Sequence, residues 1–583
     1  MKRRQLLQLV ICLVVLSALL SPIKRELYVG DETKYGEVIR EMRSAHVFFV
    51  PILNGEPFSH KPPIHFWLVD GLTHLFGLYS LWSFVIPSLL AFLLLLGLMV
   101  RMTREMLGHD AGWWSAIVAG SSLLIWGSAQ TARMDVSFTL ALTAGIWLVY
   151  RFLRDDDFRA LLIAAILVAV ATLIKGPMAP IIVLLLLLLE SARTRRLPRG
   201  NYLPAIAATV VIPLLWVIPA VAMRGNAFAR EILVKQTVGR AISTWVHKAP
   251  PWFYLLRSPL TLFPWFFVFA AAVFVLVSGQ RAQFRRPGDP LWFCLDWVIA
   301  VVLPYSLMSS KLDVYMMAAI PPVAVLVGWF ITTAAEAESK RGRSDLFGAG
   351  SREPAPLPKR PAADDVSAPD GRDPGAAAED TSIPATSLRK AARFAIAGNA
   401  LTLLLVASCG LALLVAWERL LRGPDALLFP PASVRVVAIG FVVTAAGGLV
   451  AIFGAGVGRL ERSMLALTVA VIVPLVIAVA MLLGPINVVA SSTPLIEALQ
   501  RQPVEPESIA LYSCPNLWSR DFPRRLERVR YVGPDVRDER GRWPLILATA
   551  RTHAVEIAPL LGRYRQIDQV RMIGKWFDVY RLR

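Results

Sequence analysis

Two acids and three lysines stand where polar residues are least expected. Asp31 lies in Asp31-Glu32-Thr33-Lys34-Tyr35 and Asp135 in Ala132-Arg133-Met134-Asp135, while Lys61 stands before Pro62-Pro63, Lys175 before Gly176-Pro177, and Lys311 in Ser309-Ser310-Lys311-Leu312. Ionisable groups beside hydrocarbon are costly and are mostly kept for function. Two carboxylates on one surface give the layout of a general base with a supporting acid or metal ligand. Fixed ammonium groups are what a departing phosphate needs as it gains charge in a poorly screened site. Each residue also has a plainer reading: Asp31 as the N-cap of a helix over 33–43, Asp135 as half of an ion pair with Arg133, and each lysine as an interfacial side chain that snorkels. Residue type alone leaves both readings open.

The elements that must position these groups are membrane spans. The chain has 583 residues, of which 56% are hydrophobic, and a mean hydropathy of +0.55. Many of its apolar runs approach the roughly 20 residues that cross a bilayer. Periodicity and length predict about thirteen spans, among them 113–130 and 177–191. The net charge of +19 falls largely in short loops, which is the positive-inside pattern of a polytopic protein and not a nucleic-acid-binding face. Met1-Lys2-Arg3-Arg4 before the first apolar run reads as the cytoplasmic end of an uncleaved helix. Counting from there puts the stretches rich in arginine inside. It puts outside the loop 24–80, the turn at Asp135, Lys175, the segment 224–257, Lys311 and everything after about residue 484. The unusual polar residues thus share one surface. Cys12, Cys294, Cys409 and Cys514 are too few and too scattered for a disulfide framework.

The expected fold is therefore an all-α polytopic membrane protein with a small extramembrane α/β domain at its C-terminus. Residues 1–333 form the catalytic membrane region, and 334–393 a cytoplasmic linker rich in Pro, Ala, Asp and Arg that reads as disordered. Residues 394–484 form the last spans and 485–583 the terminal domain, with strands expected at 509–512, 545–548 and 576–580. Within the first loop, Tyr35, Val38, Ile39 and Met42 recur at helical spacing opposite Lys34, Glu37, Arg40 and Glu41. That pattern predicts an amphipathic helix lying at the interface.

The order D-E-x-x-Y at 31–35, K-P-P-x-x-x-W at 61–67, L-F-G at 75–77, L-x-K-G at 173–176 and S-K-L-x-x-Y at 310–315 resembles the C-type bacterial membrane glycosyltransferases. These are the family of the 4-amino-4-deoxy-L-arabinose (lipid A) transferases and the dolichyl-phosphate-mannose protein mannosyltransferases. The segment Val246-His247-Lys248-Ala249-Pro250-Pro251-Trp252-Phe253-Tyr254 is similar to the family's H-x-G-P-W-W-Y-Y. The resemblance implies an inverting transferase of the bacterial inner membrane, moving a hexosyl or pentosyl group from a polyprenyl-phosphate donor to a lipid A-like or protein acceptor on the periplasmic face. It also implies that Asp31 and Asp135 are the catalytic acids, that Lys61, Lys175, Lys311 and Arg133 hold the donor phosphate, and that Tyr35, His247, Trp252 and Tyr315 line the substrate. Two positions depart from the pattern. His60 stands where Glu is usual, leaving a divalent metal the one cofactor in question, since imidazole also binds zinc; Asp313 stands where Pro is usual.

A transporter or lipid flippase is the competing class, because it too would carry many spans with charged residues. Against it, the polar residues gather at one surface instead of near the midplane, and no repeated half is visible. Loop parity makes a direct prediction: reporter fusions at Pro374 and Arg540 report opposite sides of the membrane. Signals from one side only would overturn the span count and the shared outer face.

Overall fold

The computed structural model describes residues 3–23, 25–232, 249–347, 385–420, 428–454, 460–519, 522, 524–538 and 541–583. The first helix, α1 (Arg3–Leu20), leads into a folded cap made of α2 (Asp31–Ser44), the ladder of β1 (Ile52–Leu53) with β2 (Glu56–Pro57), and α3 (Ile64–Phe76). Asn54 and Gly55 turn that ladder with φ of 56° and 80°, the left-handed pair that Asn-Gly favours in a tight hairpin. The bundle follows as α4 (Leu81–Leu107), α5 (His109–Ser121), α6 (Leu123–Ala129), α7 (Asp135–Asp155), α8 (Phe158–Lys175), α9 (Met178–Thr194) and α10 (Leu203–Arg230). Next come α11 (Phe253–Thr261) and α12 (Phe266–Gly279), bent 113° to each other. They are followed by α13 (Pro290–Leu307), a 3-10 stretch Asp313–Ala319, α14 (Ile320–Phe347), α15 (Ala385–Leu420), α16 (Pro431–Gly454) and α17 (Leu460–Ala490).

Every expected span falls on helix, but the count is lower. Among the described residues nine helices are long and apolar enough to cross a membrane, ten with the bent pair taken as one. The shortfall lies in α1, in α9 and in 113–130, which Ser122 divides into α5 and α6 by taking up an extended conformation. The N–H of Leu123, which that break leaves without a helical partner, donates instead to the carbonyl of Phe263 at 3.1 Å, as a buried amide must. The expected linker is narrower than 334–393: α14 runs on to Phe347 and α15 begins at Ala385. The remainder of that insert lies outside the described residues.

Close backbone approach holds the centre. A Cβ on Gly328 of α14 would sit 2.8 Å from the carbonyl oxygen of Ala111 and 3.1 Å from the amide of Ser115, and one on Gly112 of α5 would sit 2.7 Å from the carbonyl of Val100. Where water supplies no drive between helices, such small residues let packing do the work.

α2 differs from expectation in two ways. Its N-cap is Gly30, and Asp31 is the first helical residue with no capping hydrogen bond, so the N-cap reading of Asp31 does not hold. Nor does the helix lie on a surface with one wet face, because Glu37 is buried along with Tyr35, Val38, Ile39 and Met42. The cover comes from the terminal domain. There α18 (Thr493–Gln500) precedes β3 (Ile509–Tyr512), β4 (Arg530–Val532), β5 (Ile546–Ala550), β6 (Tyr564–Met572) and β7 (Lys575–Leu582). The sheet order is β4-β3-β5-β7-β6, parallel across the first three and antiparallel across the rest. Strands β3 and β5 are buried along their whole length, as central strands covered on both faces should be. Trp518 of this domain is buried against Gly36 of α2 and Phe84 of α4. Asn516 donates to Asn54 at 2.7 Å, and Thr493 donates to Glu26 at 2.6 Å.

Gly328→Ala should lower the melting temperature of the detergent-solubilised protein, because overpacking a tight backbone contact costs about 1–3 kcal/mol. An unchanged melting temperature would mean that α5 and α14 separate without penalty.

Candidate active site

Three helix ends converge where the first loop meets the bundle: the N-termini of α2 and α7, which favour anions, and the C-terminus of α8, which favours a cation. They carry Asp31, Asp135 and Lys175 respectively. The Lys175 ammonium lies 2.5 Å from one oxygen of Asp135. Arg133 Nε donates to the other at 3.0 Å, and Arg133 Nη2 reaches Asp31 at 3.4 Å. A continuous charged chain therefore runs Asp31, Arg133, Asp135, Lys175. Its two acids differ in access: the Asp31 side chain is 44% exposed and that of Asp135 only 4%. Asp31 is open to a ligand, whereas Asp135 is a buried anchor that fixes two cations.

The aromatic wall is built from the same ends. The Lys175 ammonium sits over the rings of Phe138 and Tyr315, at 5.3 and 5.2 Å, and Tyr315 stacks on Tyr305 with centroids 4.8 Å apart. Tyr35 is buried one helical turn after Asp31, edge-on to His65 and Phe66. Burial and the nearby carboxylates of Asp31 and Asp135 hold its hydroxyl well above the usual tyrosine range, so it stays a hydrogen-bond donor. His65 is buried with neither ring nitrogen hydrogen-bonded among the described residues. Burial pulls its pKa down to about 4; Asp135 opposes that shift and Lys61 adds to it. Lys61 is thereby within electrostatic reach of the same chain.

A second layer holds the turn at 130–134. One oxygen of Glu32 accepts from the Ala132 amide at 2.6 Å, while the other accepts from the Tyr28 amide at 2.8 Å and from Arg25. Arg25 also donates to the carbonyl of Gln130 at 3.1 Å, and Ser88 to that of Arg133 at 2.6 Å. These buried, paired groups lock the start of α2 to the turn that carries Arg133. Glu32 is visible inside the D-E-x-x-Y pattern but without a task, and Arg25 and Ser88 give no signal because partners such as Gln130 and Arg133 are far away in sequence; His65, which its place in the first loop suggests for interfacial hydrogen bonding, is instead buried without a hydrogen bond among the described residues.

The remaining expected residues divide. Lys311 is buried and donates to the carbonyls of Ser306, at 2.9 Å, and Met308. It thus caps the end of α13 rather than joining the charged chain, and burial lowers its pKa. Trp252 is 60% exposed at the start of α11. His247 lies outside the described residues. Asp313 forms a two-point ion pair with Arg257, at 3.1 and 2.5 Å, which accounts for an acid at that position. Among the described residues no three His, Cys, Asp or Glu side chains gather to hold a metal. An apolar groove of about 430 Å³ runs between α11, α12, α13 and α14 and is lined by Tyr254, Leu262, Phe266, Val302 and Met316. Ser306 also lines the groove, and its carbonyl accepts from Lys311.

The profile of the dolichyl-phosphate-mannose-protein mannosyltransferase family matches residues 60–219. An undecaprenyl phosphate-alpha-4-amino-4-deoxy-L-arabinose arabinosyl transferase of Yersinia enterocolitica is 28% identical over 322 residues, which is 53% of this chain and 56% of the relative. The enzyme of the same name from Yersinia pseudotuberculosis is 26% identical over 336 residues, 55% of this chain and 58% of the relative. Each match thus spans little more than half of the relative's length. The crystal structure of ArnT from Cupriavidus metallidurans bound to undecaprenyl phosphate superposes with a TM-score of 0.70 at 17% identity, covering 99% of this chain and 98% of that one. Its apo form gives 0.66 over 98% and 97%. The chain therefore has the fold of ArnT: a multi-pass helical membrane protein with a small terminal sheet domain.

The depressed pKa of His65 has a stability consequence. Unfolded chain takes up a proton below the ordinary histidine value of about 6.5 that the folded protein refuses until about 4, so stability falls as pH drops across that window. The loss amounts to roughly 3 kcal/mol at most, at 1.36 kcal/mol per unit. Melting curves taken from pH 7.5 down to 4 should be flatter for His65→Gln than for wild type; parallel curves would refute the assignment.

Proposed function

We propose that this protein is an inner-membrane glycosyltransferase that moves a sugar from a polyprenyl-phosphate donor to an acceptor at the periplasmic surface. The observation that carries the reading is the apolar groove whose lining residue Ser306 accepts from Lys311, together with the aromatic and charged cluster of Tyr315, Lys175 and Asp135. Such a groove suits a prenyl chain that enters from the bilayer with its phosphate foremost. ArnT, the solved protein with the same fold, was crystallised with undecaprenyl phosphate, and the relatives are arabinosyl transferases. These likenesses point to a pentosyl group and a lipid-linked donor.

In the displacement, an acceptor oxygen bonds to the anomeric carbon as the bond from that carbon to the phosphate oxygen breaks, and polyprenyl phosphate leaves. Charge grows on the leaving phosphate, where Lys61, with Arg133 and Lys175 held in place by Asp135, supplies fixed positive potential. Lys311, held on the carbonyls of Ser306 and Met308, adds positive charge at the Ser306 part of the groove's lining. Tyr35 and Tyr315 orient the sugar, the first as a hydroxyl donor. Asp31, the accessible acid, takes the proton of a hydroxyl acceptor. An acceptor phosphate is already ionised and needs Asp31 only for orientation.

The two acids separate under substitution. Asp31→Asn removes a half-exposed pair worth about 1 kcal/mol or less and should leave the melting temperature nearly unchanged. If a hydroxyl is the nucleophile, it should lower turnover about 100-fold or more. Asp135→Asn strands two cations in a poorly hydrated site and should cost about 3–5 kcal/mol. Purified protein offered labelled polyprenyl-phosphate sugar and labelled nucleotide sugar should use only the first. Efficient transfer from the nucleotide form without a lipid carrier would sink the mechanism.

A further inference from the structure

At the end of the bundle away from Lys311 lies a further cavity, between α12 and α15. Residues 280–289 join α12 to α13, and Lys311 stands beyond the far end of that span, so the last turns of α12 belong to the opposite membrane surface. The cavity has a volume of about 310 Å³ and is lined by Ala270, Ala271 and Phe274 of α12 and by Lys390, Ala391 and Phe394 of α15. That volume is at the lower end of the roughly 300–1,000 Å³ of sites that enclose small molecules. Toward the start of α12 it is closed by Phe267, which packs on Phe394 with centroids 6.1 Å apart and leaves no room for a Cβ on Gly398. Phe274 and Phe394, each about half exposed, form its lips.

Of these six residues only Lys390 is polar. A lysine in such a wall lays its stem along apolar surface and carries its ammonium to the level of the headgroups. Around it α15 reads Leu388-Arg389-Lys390-Ala391-Ala392-Arg393, with no acid before Glu418. At about 100° per residue, Lys390 shares a face with Phe394, and Arg393 stands about 60° to its side. Lys390 and Arg393 are exposed, and neither has a hydrogen bond or ion pair among the described residues. Arg281, Arg285 and Arg286 follow the end of α12. The positive-inside rule assigns a surface of this composition to the cytoplasm, where anionic lipid headgroups meet basic pockets between spans. Neighbouring like charges on a helix repel, and a phosphate between Lys390 and Arg393 turns that repulsion into attraction.

We infer that this cavity holds one acyl chain of an anionic glycerophospholipid whose phosphate sits on Lys390 and Arg393. A zwitterionic lipid offers the same chain without the net charge, so the cations select among lipids. The site matters to the rest of the bundle because α12 is a partition. Ala270 lines both this cavity and the groove of α11 to α14, and Phe266, Phe269 and Val273 of the same helix also line the groove. A chain seated behind α12 therefore wedges the wall of the donor groove from outside. The lipid site stands apart from the glycosyltransferase reading; its coupling to the donor rests on that reading.

The test is lipid retention by the full-length protein released from nanodiscs of equal parts phosphatidylglycerol and phosphatidylcholine, read by native mass spectrometry. Wild type should keep one phosphatidylglycerol in preference to phosphatidylcholine by at least fivefold. Lys390→Gln combined with Arg393→Gln should abolish the preference, and Ala271→Leu, which fills the cavity and changes no charge, should remove the retained lipid. Lys390 and Arg393 are exposed, so the double variant folds even where Ala271→Leu does not. Labelled polyprenyl phosphate should bind wild type at least threefold more tightly in the mixed nanodiscs than in phosphatidylcholine alone, and the double variant equally in both. Equal retention of the two lipids, undiminished phosphatidylglycerol on the double variant, or a dimer through this face that excludes lipid would each overturn the site. Donor affinity indifferent to phosphatidylglycerol would overturn the wedge. Selective retention with no polyprenyl phosphate binding in any lipid would instead count against the donor reading alone.

Discussion

One buried carboxylate organises the rest. Asp135 is almost wholly withdrawn from water, and an unpaired charge there would cost several kcal/mol. It therefore requires Arg133 and Lys175 at fixed positions, and they require it. Because the three belong to the start of α7, the turn before it and the end of α8, neutralising one charge sets the relative height of two spans. Arg133 also reaches the exposed Asp31, so two acids and two cations balance along the chain. A hydrophobic substitute of equal volume would hold the helices as well or better, so helix packing alone does not account for the charges.

Around that centre the first loop behaves as a structural domain without a core of its own. α2 is too short and too polar to be stable alone. It gains its cover from the bundle through Tyr35, Ile39 and Met42 and from the terminal domain through Gly36 and Trp518. Glu32 and Arg25 then fix the azimuth of the helix by tying it to the 130–134 turn. The exposed acid is in this way carried on an element whose orientation is set from both sides.

How far the sequence can be read follows from the range of the interactions involved. Spans were legible because hydrocarbon demands long apolar runs, and Arg133 with Asp135 because they are two residues apart. Lys175 was legible through its motif. The Lys175 to Asp135 contact, by contrast, joins the two ends of a helical hairpin, and no local period encodes which lysine meets which acid. Glu37 was placed on a wet face by its spacing; the terminal domain, some 450 residues later, covers that face. Lys311 looked like its fellow lysines and differs only because the end of α13 presents two carbonyls to it. The break at Ser122 and the edge strands β4 and β6 carry no local signal for a related reason: a break or an edge is decided by what lies across from it.

The last span has a mechanical consequence. α17 has 31 residues, about 46 Å at 1.5 Å per residue, against a hydrocarbon slab of about 30 Å. It is a strut that must lean or protrude, with its tilt set by the helices packed against it. Its upper end is tethered: the carbonyl of Ala490 accepts from the amide of Val29 at 2.7 Å, and the carbonyl of Val489 accepts from that of Ile573. Val29 is two residues ahead of Asp31, and Ile573 lies in the terminal sheet's last hairpin. A tilt of the strut is thus passed both to the segment that carries Asp31 and to the domain that covers α2.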